Sequence, residues 1–252
     1  MHRIYERPFS AAGAYFLGTG DYPCSMHVRT PAGTIAIRLF SSHDAVTVHE
    51  IFCREDYLCP TPPQVVVDIG SNIGISALYF LTRSPSSYCE LYEPDPRNVD
   101  RLLHNLEGFG GRFTLHERAV ADRQGVLPFR REATGRYGSL DAAGPLTDAA
   151  ALVNPLPDTD ADVINVPVEH INDVLERAVT RHGVIDLLKV DTEGVELATI
   201  MAIDAGLRRH IRRIVIESFE SGIELDGFEV SAACDTLTFS NSGSRGLNRP
   251  AR

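Results

Sequence analysis

The sequence predicts a doubly wound α/β fold around a mostly parallel sheet, preceded by a strand-and-helix appendage. Three observations carry that prediction. From residue 65 onward, short apolar runs alternate with stretches of helical spacing, the pattern of repeated strand–helix–strand units. The runs are apolar throughout rather than alternating, as in strands covered on both faces. The first of them, VVVDI at 65–69, ends in a Gly-containing turn that opens a helix.

The appendage comes first. In residues 1–62, TIAIRLF (34–40) alternates like a strand. SSHDAVTVHEIFCREDY (41–57) reads as a capped helix with Val48, Ile51 and Phe52 on one face. The Pro-rich CPTPPQ (59–64) marks the boundary to a core over 63–241. After the first core strand, Gly74, Ala77, Leu78 and Leu81 follow helical spacing, and YCELYE (88–93) is a second strand. In the helix at 95–106, Asp95 suits the N-cap and Pro96 the first turn. A third strand spans 112–120. Residues 121–162 break the rhythm and read as a hairpin excursion with a mobile loop around 144–160. VINVPV (163–168) is a strand, and the helix that opens at Ile171 closes at His182 and Gly183. A strand at 184–191, a helix at 194–207 and strands at 212–218, 228–234 and 236–241 follow. The tail at 242–252 reads as disordered.

Length and composition suit one large domain: 252 residues, 43% hydrophobic and 23% charged. A net charge of −10 argues against a nucleic-acid partner, which needs clustered cations. The basic stretches at 112–118, 130–136 and 208–213 read as solvated faces. Cys24, Cys53, Cys59, Cys89 and Cys234 are odd in number and form no CxxC pair. Reduced thiols and a cytoplasmic setting are therefore expected. No apolar stretch approaches the roughly 20 residues of a membrane helix, and the N-terminus lacks a signal peptide's apolar core.

The turn after the first core strand is G-x-x-x-G, Gly70 to Gly74. It lacks the G-x-G-x-x-G of a dinucleotide site and the G-K-[ST] of a P-loop. Such a turn places backbone N–H groups near an anion at a helix N-terminus. Glu93, at the end of the second strand, can accept hydrogen bonds from a ribose diol. A nucleoside without a pyrophosphate satisfies both, and S-adenosylmethionine (SAM) is such a ligand. Asp68 is placed to hold its ammonium, directly or through water.

VVVDIGSNIG, YEPDPRNVDRLLHNL and IDLLKVDTEGVE together resemble the FkbM family of SAM-dependent methyltransferases, over roughly residues 41–241. The resemblance implies a Rossmann-like class I methyltransferase core and O-methylation of a hydroxyl on a natural product or sugar. It also implies a small-molecule acceptor, with O- against N-methylation and self-association left open. By the same resemblance Asp68, Gly70, Ser71 and Asn72, with Gly74 closing the turn, line the amino-acid end of SAM. Glu93, followed by Pro94, holds the ribose. Ala119, Val120 and Asp122 lie near the adenine, and Asp191 faces sulfonium and acceptor. Ser71 and Thr192 depart from the family's more usual Ala and Val or Ile, and the region after 218 looks short.

A hydroxyl acceptor must lose a proton to a base or beside a metal ion. Asp191 and Glu193 are the candidate bases. Asp191 and Glu217, with Glu193, are candidate ligands for Mg²⁺. Glu196 reads as a first-turn acid of the following helix, and Lys189 as a structural partner of Asp191. His49 and His170 read as surface or core residues, and Glu50 as a residue that could close the site. An NAD-dependent oxidoreductase and a non-catalytic nucleotide-binding module are the competing readings.

Overall fold

A computed structural model describes residues 4–6, 13, 15, 20–131, 138–140, 162–192, 194–218, 220, 222–233 and 236–243. Two strands form an N-terminal antiparallel hairpin, β1 Cys24–Thr30 and β2 Gly33–Leu39. The core is a seven-stranded sheet of β3 Val65–Ile69, β4 Tyr88–Tyr92, β5 Phe113–His116, β10 Leu187–Val190, β11 Arg213–Glu217, β12 Phe228–Ala233 and β13 Thr236–Asn241. Its order is β12-β13-β11-β10-β3-β4-β5. The five central and flanking strands from β11 to β5 run parallel, and β13 and β12 close the other edge antiparallel. The chain winds outward from β3 through β4 to β5, then returns to β10 on the other side. The switch point therefore lies between β3 and β10, where ligands of open α/β sheets bind.

Local sequence explains the elements. All five residues of β3 are buried, as an apolar run between two helical layers requires. α2, Ile75–Arg83, is buried from Ile75 to Thr82 and starts from Gly74 at φ 85°. α3, Pro96–Asn105, has Asp95 as N-cap, with Oδ1 accepting from Arg97 N at 2.9 Å, and Pro96 at its first position. Asn105 ties three segments together. It accepts from Arg38 N (2.8 Å) and donates to Arg38 O (3.2 Å) and Ile73 O (2.9 Å). One apolar cluster runs from Val28 and Ile37 of the hairpin through Phe52 to Leu78, Phe80 and Leu102.

Several boundaries differ from those the sequence predicts. The helix at 41–57 becomes α1, Ser42–His49, followed by a widened turn at Glu50–Arg54 that Glu55 ends at φ 60°. The capping box of Ser41 and Asp44 starts it. The strand at 112–120 breaks where Arg118 N turns back to His116 O (2.9 Å). Its second half, β6 Ala119–Ala121, joins a separate four-stranded sheet with β7 Gly125–Arg131, β8 Ser139–Leu140 and β9 Asp162–His170, in the order β6-β9-β7-β8. β7 and β9 pair antiparallel, which gives the expected excursion a hairpin form. The loop at 144–160 and residues 244–252 of the tail lie outside the described residues. α4, Ile171–His182, ends at Gly183 as expected. The helix at 194–207 is two short ones, α5 Glu196–Met201 and α6 Ala205–Arg208, separated at Asp204 in an extended conformation.

The basic stretches are not simply solvated faces. Arg112 donates to the carbonyls of Leu81 (2.7 Å), Ser84 (2.6 Å) and Ser87 (3.1 Å) and so closes α2. Arg118 meets Glu169 and Arg212 meets Asp186. Cys24, Cys53, Cys59 and Cys89 are free thiols, and Cys234 lies outside the described residues. Among the described residues no helix is long and apolar enough to cross a membrane.

One buried ionic cluster fastens β4, β5 and α4. Glu90, 3% exposed, takes His182 Nε2 (2.9 Å), His116 Nε2 (3.1 Å) and Arg181 (2.7 Å). Burial alone would raise its pKa. The two histidines and the arginine outweigh it and hold the carboxyl down to about 2. A depressed carboxyl pKa stabilises the fold above the unfolded value of 4.5, and that contribution is lost as pH falls toward about 2. Glu90→Ala leaves two imidazoles and a guanidinium without their anion. It should cost about 3 kcal/mol in urea unfolding at neutral pH. The difference from the parent protein should shrink between about pH 4.5 and about pH 2.

Candidate active site

The carboxyl ends of β3, β4, β10 and β11 open into one cleft. At one end lie Gly70, Ser71, Asn72, Glu93, Pro94 and Asn98. Ala119 and Val120, with Phe129, Gly138 and Leu140 of the second sheet, continue that end. At the other end lie Lys189, Asp191, Thr192, Glu217 and Thr236, faced by Glu50, Arg54, Asp56 and Tyr57 from the appendage.

The two ends meet at a backbone contact. Asp191 N donates to Ile69 O (3.1 Å), and Gly70 stands at φ 78° against the Asp191 carbonyl. A Cβ on Gly70 would lie 1.8 Å from that oxygen. Gly70 is thus required twice, by its left-handed backbone and by the approach of β10.

A buried ammonium sits at the same junction. Lys189, 2% exposed, reaches Gly70 O (2.9 Å), Asp68 Oδ1 (3.0 Å) and Asp191 Oδ2 (3.3 Å). Burial works to lower its pKa. The carboxylates of Asp68 and Asp191 overcome that and push it well above its ordinary value, so it is a fixed cation. Asp68 is fully buried and also takes the Ser76 hydroxyl at 2.6 Å.

Glu93 is 4% exposed and clamps the turn. It accepts from Asn72 N (2.8 Å) and Asp95 N (2.9 Å), with the Asn98 side chain as a further donor. Burial pushes its carboxyl up to about 7 despite these hydrogen bonds. A raised carboxyl pKa stabilises the fold below the usual 4.5, and the contribution is lost as pH rises toward about 7. Glu196 is a second backbone clamp. It accepts from Thr192 N (2.8 Å) and Gly194 N (2.9 Å) and so fixes the loop after Asp191.

A family model described as the methyltransferase FkbM domain matches residues 68–240. The chain belongs to the FkbM methyltransferase family. The AMB antimetabolite synthetase AmbE of Pseudomonas aeruginosa is 23% identical over 236 residues, covering 77% of this chain and 11% of that protein. The 2-O-methyltransferase NoeI of Sinorhizobium fredii is 39% identical over 72 residues, 29% of each chain. The 31-O-demethyl-FK506 methyltransferase FkbM of Streptomyces tacrolimicus is 26% identical over 212 residues, covering 75% of this chain and 80% of that one. This chain thus spans a minor part of the length of the first two relatives and most of the third.

Set against this FkbM-family core, the expected site residues divide. Gly70, Ser71, Asn72, Glu93, Pro94, Ala119, Val120, Asp191 and Glu217 all line the cleft. Asp68 does not. Its carboxylate is occupied by Lys189 and Ser76, so the ammonium it holds belongs to the protein. Gly74 faces away and packs on Leu102, where a Cβ would come within 3.2 Å. Asp122 is absent from the lining and pairs with Arg123 (2.9 Å). Glu193 lies outside the described residues. The turn amides are also spoken for: Gly70 N and Ser71 N donate to Tyr92 O, and Gly74 N donates to Ser71 O. The Ser71 hydroxyl donates to Asp68 O.

The expected metal site is not supported. The cation on Asp191 is Lys189, and no group of three His, Cys, Asp or Glu side chains among the described residues is placed to hold a metal ion. His170 caps α4 through Nδ1, which accepts from Asn172 N at 3.1 Å, and the His49 ring lies tilted against that of Tyr15, 4.2 Å between centroids. Neither lines the cleft. Sequence reasoning missed Tyr57, Asn98, Arg118, Phe129 and Leu140. Tyr57 lay at the end of an expected helix with no sign of which way it faced.

Gly70→Ala must displace Asp191 or break β3 from β10. We expect it to lose about 3 kcal/mol or more in denaturant unfolding, against tenths for Gly108→Ala on the open surface.

Proposed function

We propose that this chain transfers the methyl group of SAM to a hydroxyl oxygen of a small molecule. The observation that carries the reading is the single cleft that joins a buried carboxylate at the β4 end, Glu93, to Asp191 at the β10 end. Membership of the FkbM methyltransferase family supports it. The relatives named as O-methyltransferases favour oxygen over nitrogen.

The residues present fit SAM. Glu93 has about four acceptor positions as a carboxylate, and three are taken by protein donors. One remains for a ribose hydroxyl, and Asn98 on the same wall supplies the other polar contact. The anchor for the carboxylate end moves one step beyond the turn. Ile75 and Ser76 line the cleft in the first turn of α2, where backbone N–H groups have no intrahelical acceptor. Phe129 and Leu140 offer apolar surface beside Ala119 and Val120 for the base.

When bound, SAM supplies a methyl group activated by a positive sulfur. The protein's own task is to align an acceptor oxygen and take its proton. Asp191 is the residue for that task. Lys189 and the carbonyl contact under Gly70 hold it in one place, while 28% of its side chain stays accessible. Family membership sets the NAD-dependent reading aside, and a non-catalytic module remains as an outcome of the test.

Titration calorimetry should give micromolar SAM binding and no NAD⁺ binding. Affinity should rise about tenfold from pH 6 to pH 8 as Glu93 ionises through about 7. Glu93→Ala should weaken SAM by about 10- to 100-fold and flatten that pH dependence. An unchanged affinity removes Glu93 from the site. Asp191→Asn should lower kcat by about 100-fold or more with the SAM Kd unchanged. The reverse pattern, binding lost and turnover kept, would make Asp191 a cofactor residue instead.

A further inference from the structure

The appendage wall of the cleft precedes the residues matched to the family, 68–240. It carries a polar group that the fold does not use. The Tyr57 ring packs beside Phe80 (5.9 Å between centroids), and Lys189 Nζ stands 5.9 Å from its centre. Among the described residues no hydrogen bond ties its hydroxyl to the protein. Burial pushes its pKa well above the usual 10, Lys189 opposes that, and Asp191 and Glu217 reinforce it. The phenol therefore keeps its proton and can donate.

Charge around this group is one-sided. Glu50, Asp56, Asp191 and Glu217 line this end against two cations, Arg54 and Lys189. Both cations are held by carboxylates. Arg54 forks onto Asp56 through Nε (2.6 Å) and Nη2, and Lys189 is shared by Asp68 and Asp191. Among the described residues, the cations an anionic acceptor would meet in this cleft, Arg54, Lys189 and Arg118, are each already paired with a carboxylate. A ligand rich in O–H or N–H donors would meet acceptors on every side.

We infer that Tyr57 is an acceptor-binding residue, and that the acceptor presents an uncharged or ammonium-bearing polyhydroxyl group to the wall of Glu50, Asp56, Tyr57 and Glu217. The inference rests on the reading of the cleft as a site of methyl transfer from SAM to oxygen. The hydroxyl that reacts loses its proton to Asp191. Tyr57 donates to a neighbouring oxygen of the same molecule and sets which hydroxyl faces Asp191. Tyr57→Phe removes only that donor and keeps the ring on Phe80.

The test is labelled-methyl transfer from SAM to three probes: methyl glucoside, glucosamine and glucuronate. SAM affinity is measured by calorimetry in parallel. We expect transfer to the first two, with kcat/KM for glucuronate at least about tenfold lower. Tyr57→Phe should raise KM for methyl glucoside about 3- to 10-fold, with the SAM Kd and melting temperature unchanged. Glucuronate used as well as methyl glucoside overturns the charge assignment. An unchanged KM in Tyr57→Phe overturns the residue assignment. A protein that binds SAM but methylates none of the three overturns the polyhydroxyl class. Failure to bind SAM overturns the methyl-transfer reading itself.

Discussion

Everything in the cleft depends on how β3 and β10 are held together at their carboxyl ends. The two strands are neighbours in space and far apart in the chain, and their backbones meet at Gly70 and Asp191 without room for a Cβ. Lys189 completes the junction by placing one ammonium among Asp68, Asp191 and the Gly70 carbonyl. A buried cation with three oxygen partners is stable only as a set, because removing one partner leaves a charge uncompensated. The set also orients Asp191, which makes the same interaction both a fastening and part of the proposed catalytic geometry.

Most of the sheet was legible because its signals are local. The apolar run of β3, the Asp95–Pro96 start of α3 and the Gly183 end of α4 each depend on a few adjacent residues. The breaks were not legible. The step from β5 to β6 leaves the large sheet for a small one, and the run RFTLHERAV carries no mark of the change. The turn from α1 into Glu50–Arg54 preserves an apolar face, so spacing alone extends the helix.

The lining of the cleft divides in the same way. Glu93 and Asp191 follow from their places at strand ends. Asp68 shares that position, yet its partner comes from β10, and only the assembled sheet shows that Lys189 consumes it. Gly74 has the spacing of a ligand turn and serves helix packing against Leu102. Tyr57 and Phe129 belong to segments on either side of the central motifs, and no local pattern announces a residue that reaches the cleft from outside the sheet.

Asn105 shows how a position remote from the cleft becomes irreplaceable. One side-chain amide accepts from Arg38 and donates to the carbonyls of Arg38 and Ile73. Aspartate would forfeit both donors and set an anion against two carbonyls. Leucine has the size and none of the polarity, and glutamine adds a methylene where only 8% of the residue is exposed. The hairpin and the glycine turn therefore share a single chemical vocabulary of one letter. Drift in either segment is restrained by a residue that touches no ligand, and its exchangeability is set by three backbones at once.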